Sequence, residues 1–394
     1  MKKHDLIIIG GGPGGSTLGA YMAKKGYDVA IFERENYPRF HIGESLLPAS
    51  MPIFKETGFF DTLNSGKYIT KYGARFVDYR VEEEIYFGFQ NGFNPDIPSA
   101  FEVERGDFDK DILEHAKTCG VTVYQPDRVK GVAFYDSHVT IQATSGEYQA
   151  KFVADATGRE SLLGRHFKLK KKNDDLNNVG VFSHYIGVKR QPGQSEGDIT
   201  IGLLPNNAWS WVIPFKGEKT SVGVVCNAKY FQAGADLGQY METQLSTSSI
   251  LRDYMKDAER VQEIQVISNY SHRSETFAGD RWILIGDAAT FLDPIFSSGV
   301  HVSCTSARFA SQILDTVLKT GTTITEGGHD KWYYETMNKG IERFHHLISM
   351  FYNTNFVEAM KKTLVLERTR QAYTSAVAGD MWNDDNVIFK MRVL

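Results

Sequence analysis

DLIIIGGGPGGS, residues 5–16, decides the fold. Within residues 5–9, Asp5 leads into an unbroken apolar run of four, the pattern of a strand buried on both faces. A glycine-rich turn follows, residues 16–25 read as a helix, and YDVAIFE at 27–33 reads as a second buried strand. Strand, turn, helix and strand make a βαβ unit of about thirty residues, the scale of a nucleotide-binding half. Within the turn, Gly10, Gly12 and Gly15 fall at GxGxxG spacing. The first glycine permits the tight turn, the second lets backbone approach a pyrophosphate, and the third lets helix and strand pack closely. Pro13, Gly14 and Ser16 belong to the same loop and helix start, where unpaired N–H groups and the positive dipole end favour phosphate. Glu33 closes the second strand about twenty residues on, where a carboxylate accepts hydrogen bonds from ribose hydroxyls. It would repel a 2′-phosphate, which points away from NADP.

The rest of the chain sets the frame. Its 394 residues allow one large or two modest domains, and 42% hydrophobic with 23% charged residues is an ordinary globular composition. A formal charge of -4 gives no bulk attraction to nucleic acid or to an acidic membrane. Cys119, Cys226 and Cys304 are far apart and show no metal-ligand spacing, so no metal is expected and a reducing cytoplasm is the expected compartment. The first apolar run ends in the glycine loop, shorter than the roughly 7–15 residues of a secretory leader. No apolar stretch approaches the roughly 20 residues of a membrane span, so no stable membrane insertion is expected.

Further parallel-type runs are VTVYQ near 121, FVADATG at 152–158 and WILIGDAA at 282–289, the last expected to enter a helix. Between them, residues 76–101 and 179–270 alternate like an exposed antiparallel sheet. Beyond about residue 307 the period is helical, with Phe344, Leu347, Ile348, Phe351 and Tyr352 on one face. The expected organisation is an α/β chain whose discontinuous nucleotide-binding domain (1–75, 102–175, 276–325) carries an inserted antiparallel-sheet substrate domain (76–101, 176–275). A short C-terminal helical region, 326–394, completes it.

A second glycine-aspartate pair, Gly286-Asp287, resembles the element by which aromatic-hydroxylase-like flavoproteins contact the FAD ribityl and pyrophosphate; NAD-only domains of this kind lack it. Helix capping is an alternative role for Asp287 that does not exclude flavin contact. Arg105 in FEVERGDFD and Asp155 in DATG match further FAD-contacting positions of that class. The resemblance implies a Rossmann-like FAD-binding fold of the aromatic-hydroxylase type.

Four segments then resemble flavin-dependent halogenases: PRFHIGESLLP at 38–48, TKYGA at 70–74, WSWVIP at 209–214 and FLDPIFSSGVH at 291–301. Such an enzyme uses FADH2, O2 and chloride or bromide to halogenate an electron-rich ring through hypohalous acid. The resemblance makes Lys71 the catalytic residue, whose side chain polarises hypohalous acid or carries the halogen as a haloamine. It assigns Ser298 and Gly299 to halide, through backbone amides, and gives Trp209, Trp211 and Phe296 to the substrate pocket or to the barrier between flavin and substrate. It adds Arg34, Arg39, Gly43, Glu44, Ser45, Pro294, Gly299 and Val300 to the FAD contacts. Phe296 stands where tryptophan halogenases carry a glutamate, and the C-terminal part is too short for their large helical cap. The sequence is thus closer to halogenases of phenols and of pyrroles tethered to a carrier protein, with FYNTN at 351–355 and AGDMW at 378–382 resembling pyrrole-type tails. The implied partners are a separate flavin reductase, an acyl or peptidyl carrier protein and a small aromatic substrate.

Phe344, Phe351, Tyr352, Phe356, Tyr373 and Trp382 are aromatic at helical spacing, more often core than pocket. Two rival functions share the flavin elements. An NAD(P)H-dependent aromatic hydroxylase needs neither halide loop nor tryptophan pair, and a non-catalytic flavin-binding or carrier-docking protein needs no lysine at position 71.

Overall fold

The structure, a computed structural model, describes residues 2–172, 177–231, 234, 236–268, 272–353 and 356–389. Its first sheet is built outward from β1 (Lys2–Ile9). This strand pairs in parallel with Gly146–Asp155 on one side and with β2 (Val29–Phe32) on the other. Trp282–Leu284 and Thr122–Tyr124 extend the sheet at either side, also in parallel. Register aligns Ile9 with Asp155 and Phe32, and Asp155 with Leu284. The carboxyl ends of these strands therefore share one level, and the loops that leave them gather over one crevice, where open α/β sheets place their ligands.

The helix α1 (Pro13–Lys24) begins three residues earlier than the expected 16, with Pro13 at its first position, where a missing N–H costs nothing. It packs on the long helix Ser298–Thr320 and on Arg105–Thr118. Gly286–Ala288 is a single 3-10 turn, not the start of a helix. A further β-segment and turn intervene before the long helix starts at Ser298.

The second sheet joins Gly73–Asp78 and Glu83–Gly88 to Ile199–Leu203, Trp209–Pro214, Thr220–Asn227 and Asn178–Ile186. All of these contacts are antiparallel except that of Gly73–Asp78 with Ile199–Leu203. The expectation of an exposed sheet is corrected here, because Trp209–Pro214 and Ile199–Leu203 are buried at every residue. Trp209 and Trp211 share one face with Phe76, Phe182 and the aromatic C-terminal helices. Val77, Val181, Val212, Val222 and Val224 share the other, covered by Met241, Leu245, Leu251 and Tyr254 from two short helices.

A separate two-stranded ribbon pairs Ile69–Lys71 with Ala100–Glu102. The helix His329–Asn353 buries Phe344, Leu347, Ile348 and Phe351, on the face its period requires. Residues 354 and 355 of the FYNTN segment lie outside the described residues. Among the described residues, no helix is long and apolar enough to cross a membrane.

Candidate active site

The glycine loop is shaped by contacts that only glycine allows. Gly10 has φ +106°, and a Cβ there would lie 2.3 Å from the Ala156 carbonyl oxygen. A Cβ on Gly15 would lie 2.0 Å from the Gly10 carbonyl oxygen, so the helix presses directly on the strand end. Gly12 differs, with nothing within 4 Å of its Cβ position, and it lies on the wall of a cavity of about 430 Å³ together with Gly10, Pro13 and Gly14. That is an ordinary size for a small-molecule site. Ser16 turns inward, its hydroxyl donating to the Gly11 carbonyl at 2.8 Å.

Glu33 is buried on the same wall. Its carboxylate accepts from Gly11 N at 2.8 Å, Glu35 N at 2.9 Å and the Tyr37 hydroxyl at 3.1 Å. Beside that carboxylate, and buried, the Tyr37 phenol is held well above its ordinary pKa. Glu33→Lys is expected to weaken FAD binding about tenfold or more, since each lost hydrogen bond to a charged acceptor is worth about 1.5–3 kcal/mol. Titration of apoprotein with FAD measures this, and an unchanged affinity would show that Glu33 does not meet the ribose.

Arg105 opens its helix and clamps the next wall. Its Nε and Nη2 donate to Asp109 at 2.8 and 3.1 Å, and its Nη1 donates to the Ile42 carbonyl at 2.7 Å. Gly43, at φ +105°, leaves room for that guanidinium, because a Cβ would come within 2.9 Å of Nη1. Arg39 donates to Asp109 at 3.1 Å, and Arg34 pairs with Glu160. Arg34, Arg39, Gly43 and Arg105 all line the cavity. Asp287 lines it too, and burial raises its carboxyl to about 6 against the pull of Arg105 and Arg159. Asp155 stands one layer behind: it accepts from Thr157 N, Thr157 Oγ1 and Leu163 N, and so braces the Ala156–Thr157–Gly158 wall. Gly286 is likewise behind the wall, pressed on Ser303.

Lys71 is 1% exposed. Its Nζ donates to Ser45 Oγ at 2.7 Å and to the Leu46 carbonyl at 3.2 Å. Ser45 Oγ donates in turn to Glu102 Oε1 at 3.1 Å. Ser45 and Glu44 meet the cavity, whereas Lys71 is held directly behind Ser45. Glu44 is bonded to His184 at 2.9 Å. Burial lowers the Lys71 ammonium from its usual range and raises the Glu102 carboxyl to about 8. Glu102 and His184 were not singled out from sequence. Glu102 lies in the FEVERGDFD segment that points to Arg105, and the signal for it is a carboxylate between Phe101 and Val103 in a buried strand.

Opposite, Trp209 and Trp211 line the cavity with ring centroids 5.8 Å apart. The Trp211 indole donates to Ser221 at 3.0 Å. The Trp209 indole donates to the Tyr352 hydroxyl at 3.0 Å, and that hydroxyl donates to Asp293 at 3.1 Å. Asn178 donates to the same carboxyl oxygen at 2.9 Å, while Asp293 Oδ1 accepts from Ile295 N at 3.2 Å and holds the turn that follows. Burial pushes this carboxyl up to about 6. Tyr352→Phe is expected to cost about 1–2 kcal/mol in urea unfolding, because it strands a buried indole N–H. No change in stability would show that the bond carries no weight.

After that turn Ser297 takes φ +54°, and the long helix points its N-terminus at the cavity, with Pro294, Gly299 and Val300 on the wall. Ser298 is buried behind them, and its hydroxyl has no hydrogen-bond partner among the described residues. Nothing lies within 4 Å of a Cβ on Gly299. Phe296 is off the wall, packed against Phe76, Phe351 and Phe356. Phe344, Phe351, Phe356, Tyr373 and Trp382 belong to or pack on the core and do not meet this cavity.

The residues present fit an FAD molecule. A glycine cradle open at Gly12, a helix N-terminus and an acidic strand end suit its adenosine diphosphate half, and Asp287 and the 294–300 loop stand farther along the same cavity.

Residues 3–326 match the family described as FAD binding domain. A 1H-pyrrole-2-carbonyl-(peptidyl-carrier protein) chlorinase of Pseudomonas fluorescens is 34% identical, over 91% of this chain and 86% of that protein. A 1H-pyrrole-2-carbonyl-(peptidyl-carrier protein) brominase of Pseudoalteromonas luteoviolacea is 32% identical, over 76% of this chain and 74% of that protein. Among solved structures, the flavin-dependent brominase Bmp2 superposes with TM-score 0.88 at 26% identity, covering 99% of this chain and 98% of that one. A flavoprotein/dehydrogenase from Cytophaga hutchinsonii also gives 0.88, at 30% identity, covering 99% of this chain and 96% of that one.

Proposed function

Because this chain belongs to the FAD binding domain family and, within it, to the flavin-dependent halogenases, we propose that it halogenates a pyrrole-2-carbonyl group carried on a peptidyl carrier protein. One observation carries the reading. Ser45, which Lys71 grips, the Trp209–Trp211 pair and the N-terminus of the long helix all face a single cavity.

Reduced FAD with oxygen, when bound, supplies the oxidant that turns halide into hypohalous acid. Gly10, Gly12, Pro13, Gly14, Glu33 and Arg105 hold that cofactor, aided by Gly43, Glu44 and Asp287. Gly299 and Ser298, at the helix N-terminus, offer halide backbone amides, where the helix dipole favours an anion. Trp209 and Trp211 form the apolar barrier that keeps the ring away from the flavin. Lys71, anchored through Ser45, receives the hypohalous acid and directs the halogen. The reduced flavin comes from a separate reductase.

The test is mass spectrometry of an assay holding FAD, a flavin reductase, NADH, oxygen and bromide, with carrier-bound pyrrole and free phenols as parallel substrates. A bromine isotope pair on the carrier-bound pyrrole supports the proposal. The same pair on a free phenol replaces the substrate class, and a gain of one oxygen without bromine replaces halogenation by hydroxylation.

A further inference from the structure

The ribbon of Ile69–Lys71 and Ala100–Glu102 sets Lys71 opposite Ala100 and Glu102 opposite Ile69. Residues two apart on a strand share a face, so Lys71 and Glu102 are diagonal neighbours on one side of the ribbon. Ser45 bridges to Glu102 at backbone level as well, and its hydroxyl sits between the two charges. The donors run one way, from Lys71 Nζ to Ser45 Oγ at 2.7 Å and from Ser45 Oγ to Glu102 Oε1 at 3.1 Å. The direct Nζ to Oε1 separation is 3.9 Å, too long for a hydrogen bond. Glu102 Oε2 is buried and has no hydrogen-bond partner among the described residues. A purely structural ion pair would use both carboxyl oxygens and close the direct contact.

We propose that Glu102 is a positioning residue that takes the Lys71 proton through Ser45 and keeps it for as long as Lys71 carries the halogen. The inference rests on Lys71 being the halogen carrier. In the loading step the ammonium proton passes to Ser45 Oγ as the serine proton passes to Glu102. The freed lone pair attacks the halogen of hypohalous acid, forming N–X as X–O breaks. The departing hydroxide takes a second proton from that nitrogen and leaves as water. Ammonium, carboxylate and hypohalous acid thus become haloamine, carboxylic acid and water. When the ring takes the halogen, its displaced proton returns to the nitrogen, Glu102 gives its own back, and the pair is reset.

Burial favours this exchange, since it lowers Lys71 and raises Glu102, and both shifts favour the neutral pair. The other charged groups that face the pair are Asp198 and Glu44. Asp198 accepts from Tyr72 N, Gly73 N and the Tyr86 hydroxyl, and Glu44 is tied to His184. Neither is bonded to Lys71 or Glu102, so Glu102 is the acceptor that the serine reaches.

The test uses the FAD-loaded enzyme. Glu102→Gln is expected to retain FAD and oxygen uptake but to halogenate about a hundredfold more slowly at neutral pH, a typical loss for a missing proton acceptor. Its rate should recover as pH rises and solvent base takes over. Glu102→Asp keeps the carboxylate, should keep the wild-type pH profile at a reduced rate, and serves if the glutamine variant does not fold. Infrared difference spectra of the wild type before and after loading with hypohalous acid, compared with Glu102→Gln, should show a protonated carboxyl band that appears as Lys71 takes the halogen. Glu102→Gln at the wild-type rate and profile, a uniform loss without alkaline recovery, or no carboxyl band on loading overturns the inference. Halogenation by Lys71→Ala at the wild-type rate removes instead the role of Lys71 on which it rests.

Discussion

Lys71→Ala is expected to halogenate about three orders of magnitude more slowly than the wild type, within the range general acid–base groups contribute, while still holding FAD. The separation of effects follows from geometry. Lys71 grips Ser45 and Leu46 from behind the cavity wall and touches none of the glycine loop, so its loss leaves the glycine cradle of the cofactor unaltered. What disappears is a nitrogen able to polarise or carry the halogen. Oxygen should still be consumed with NADH and reductase present, and free hypohalous acid, trapped with a thioether probe, should replace the halogenated product. Product at the wild-type rate would take the catalytic role away from Lys71.

The second large effect is expected at Gly12. Its backbone, φ -69° and ψ -173°, is extended and acceptable to any residue, and a Cβ there meets no protein atom within 4 Å. Gly12→Val should therefore fold with an unchanged melting temperature in the apo form. Its branches fill the space where a pyrophosphate meets the helix, and FAD affinity should fall about a hundredfold, close to 3 kcal/mol. Gly10 and Gly15 behave in the opposite way, since a Cβ at either collides with a carbonyl oxygen and disturbs the fold itself. Unimpaired FAD binding by Gly12→Val would show that the phosphates lie elsewhere.

The nucleotide-binding half was legible because its signals are local. Glycines at fixed spacing, an apolar strand before them and an acid after the next strand all lie within some thirty residues. The burial of the second sheet was not legible. Period-two patterning predicts one wet face, yet here two short helices next in the chain cover one face and the distant C-terminal helices the other, and Val212 ends as deep as Trp211. The partnership of Lys71 with Glu102 was hidden for a related reason. No tight turn joins their strands, so nothing local sets their register, and one residue of slip would send the two side chains to opposite faces. Asp287 shows the limit of motif reading: Gly-Asp marks the cavity wall, but the helix expected to follow starts only at Ser298.

The Tyr352 hydroxyl joins stretches of chain that lie far apart in sequence, through Trp209, Asp293 and Asn178. Exchange of tails between relatives is therefore not a neutral graft. A chimera that takes up a new terminal helix without this phenol inherits a tryptophan pair whose indole has lost its anchor and a 294–300 turn whose aspartate has lost a donor. Variation in the tail becomes a way to retune ring access from outside the cavity, and compatible donors will be those in which residues 178, 209, 293 and 352 are transplanted as a set.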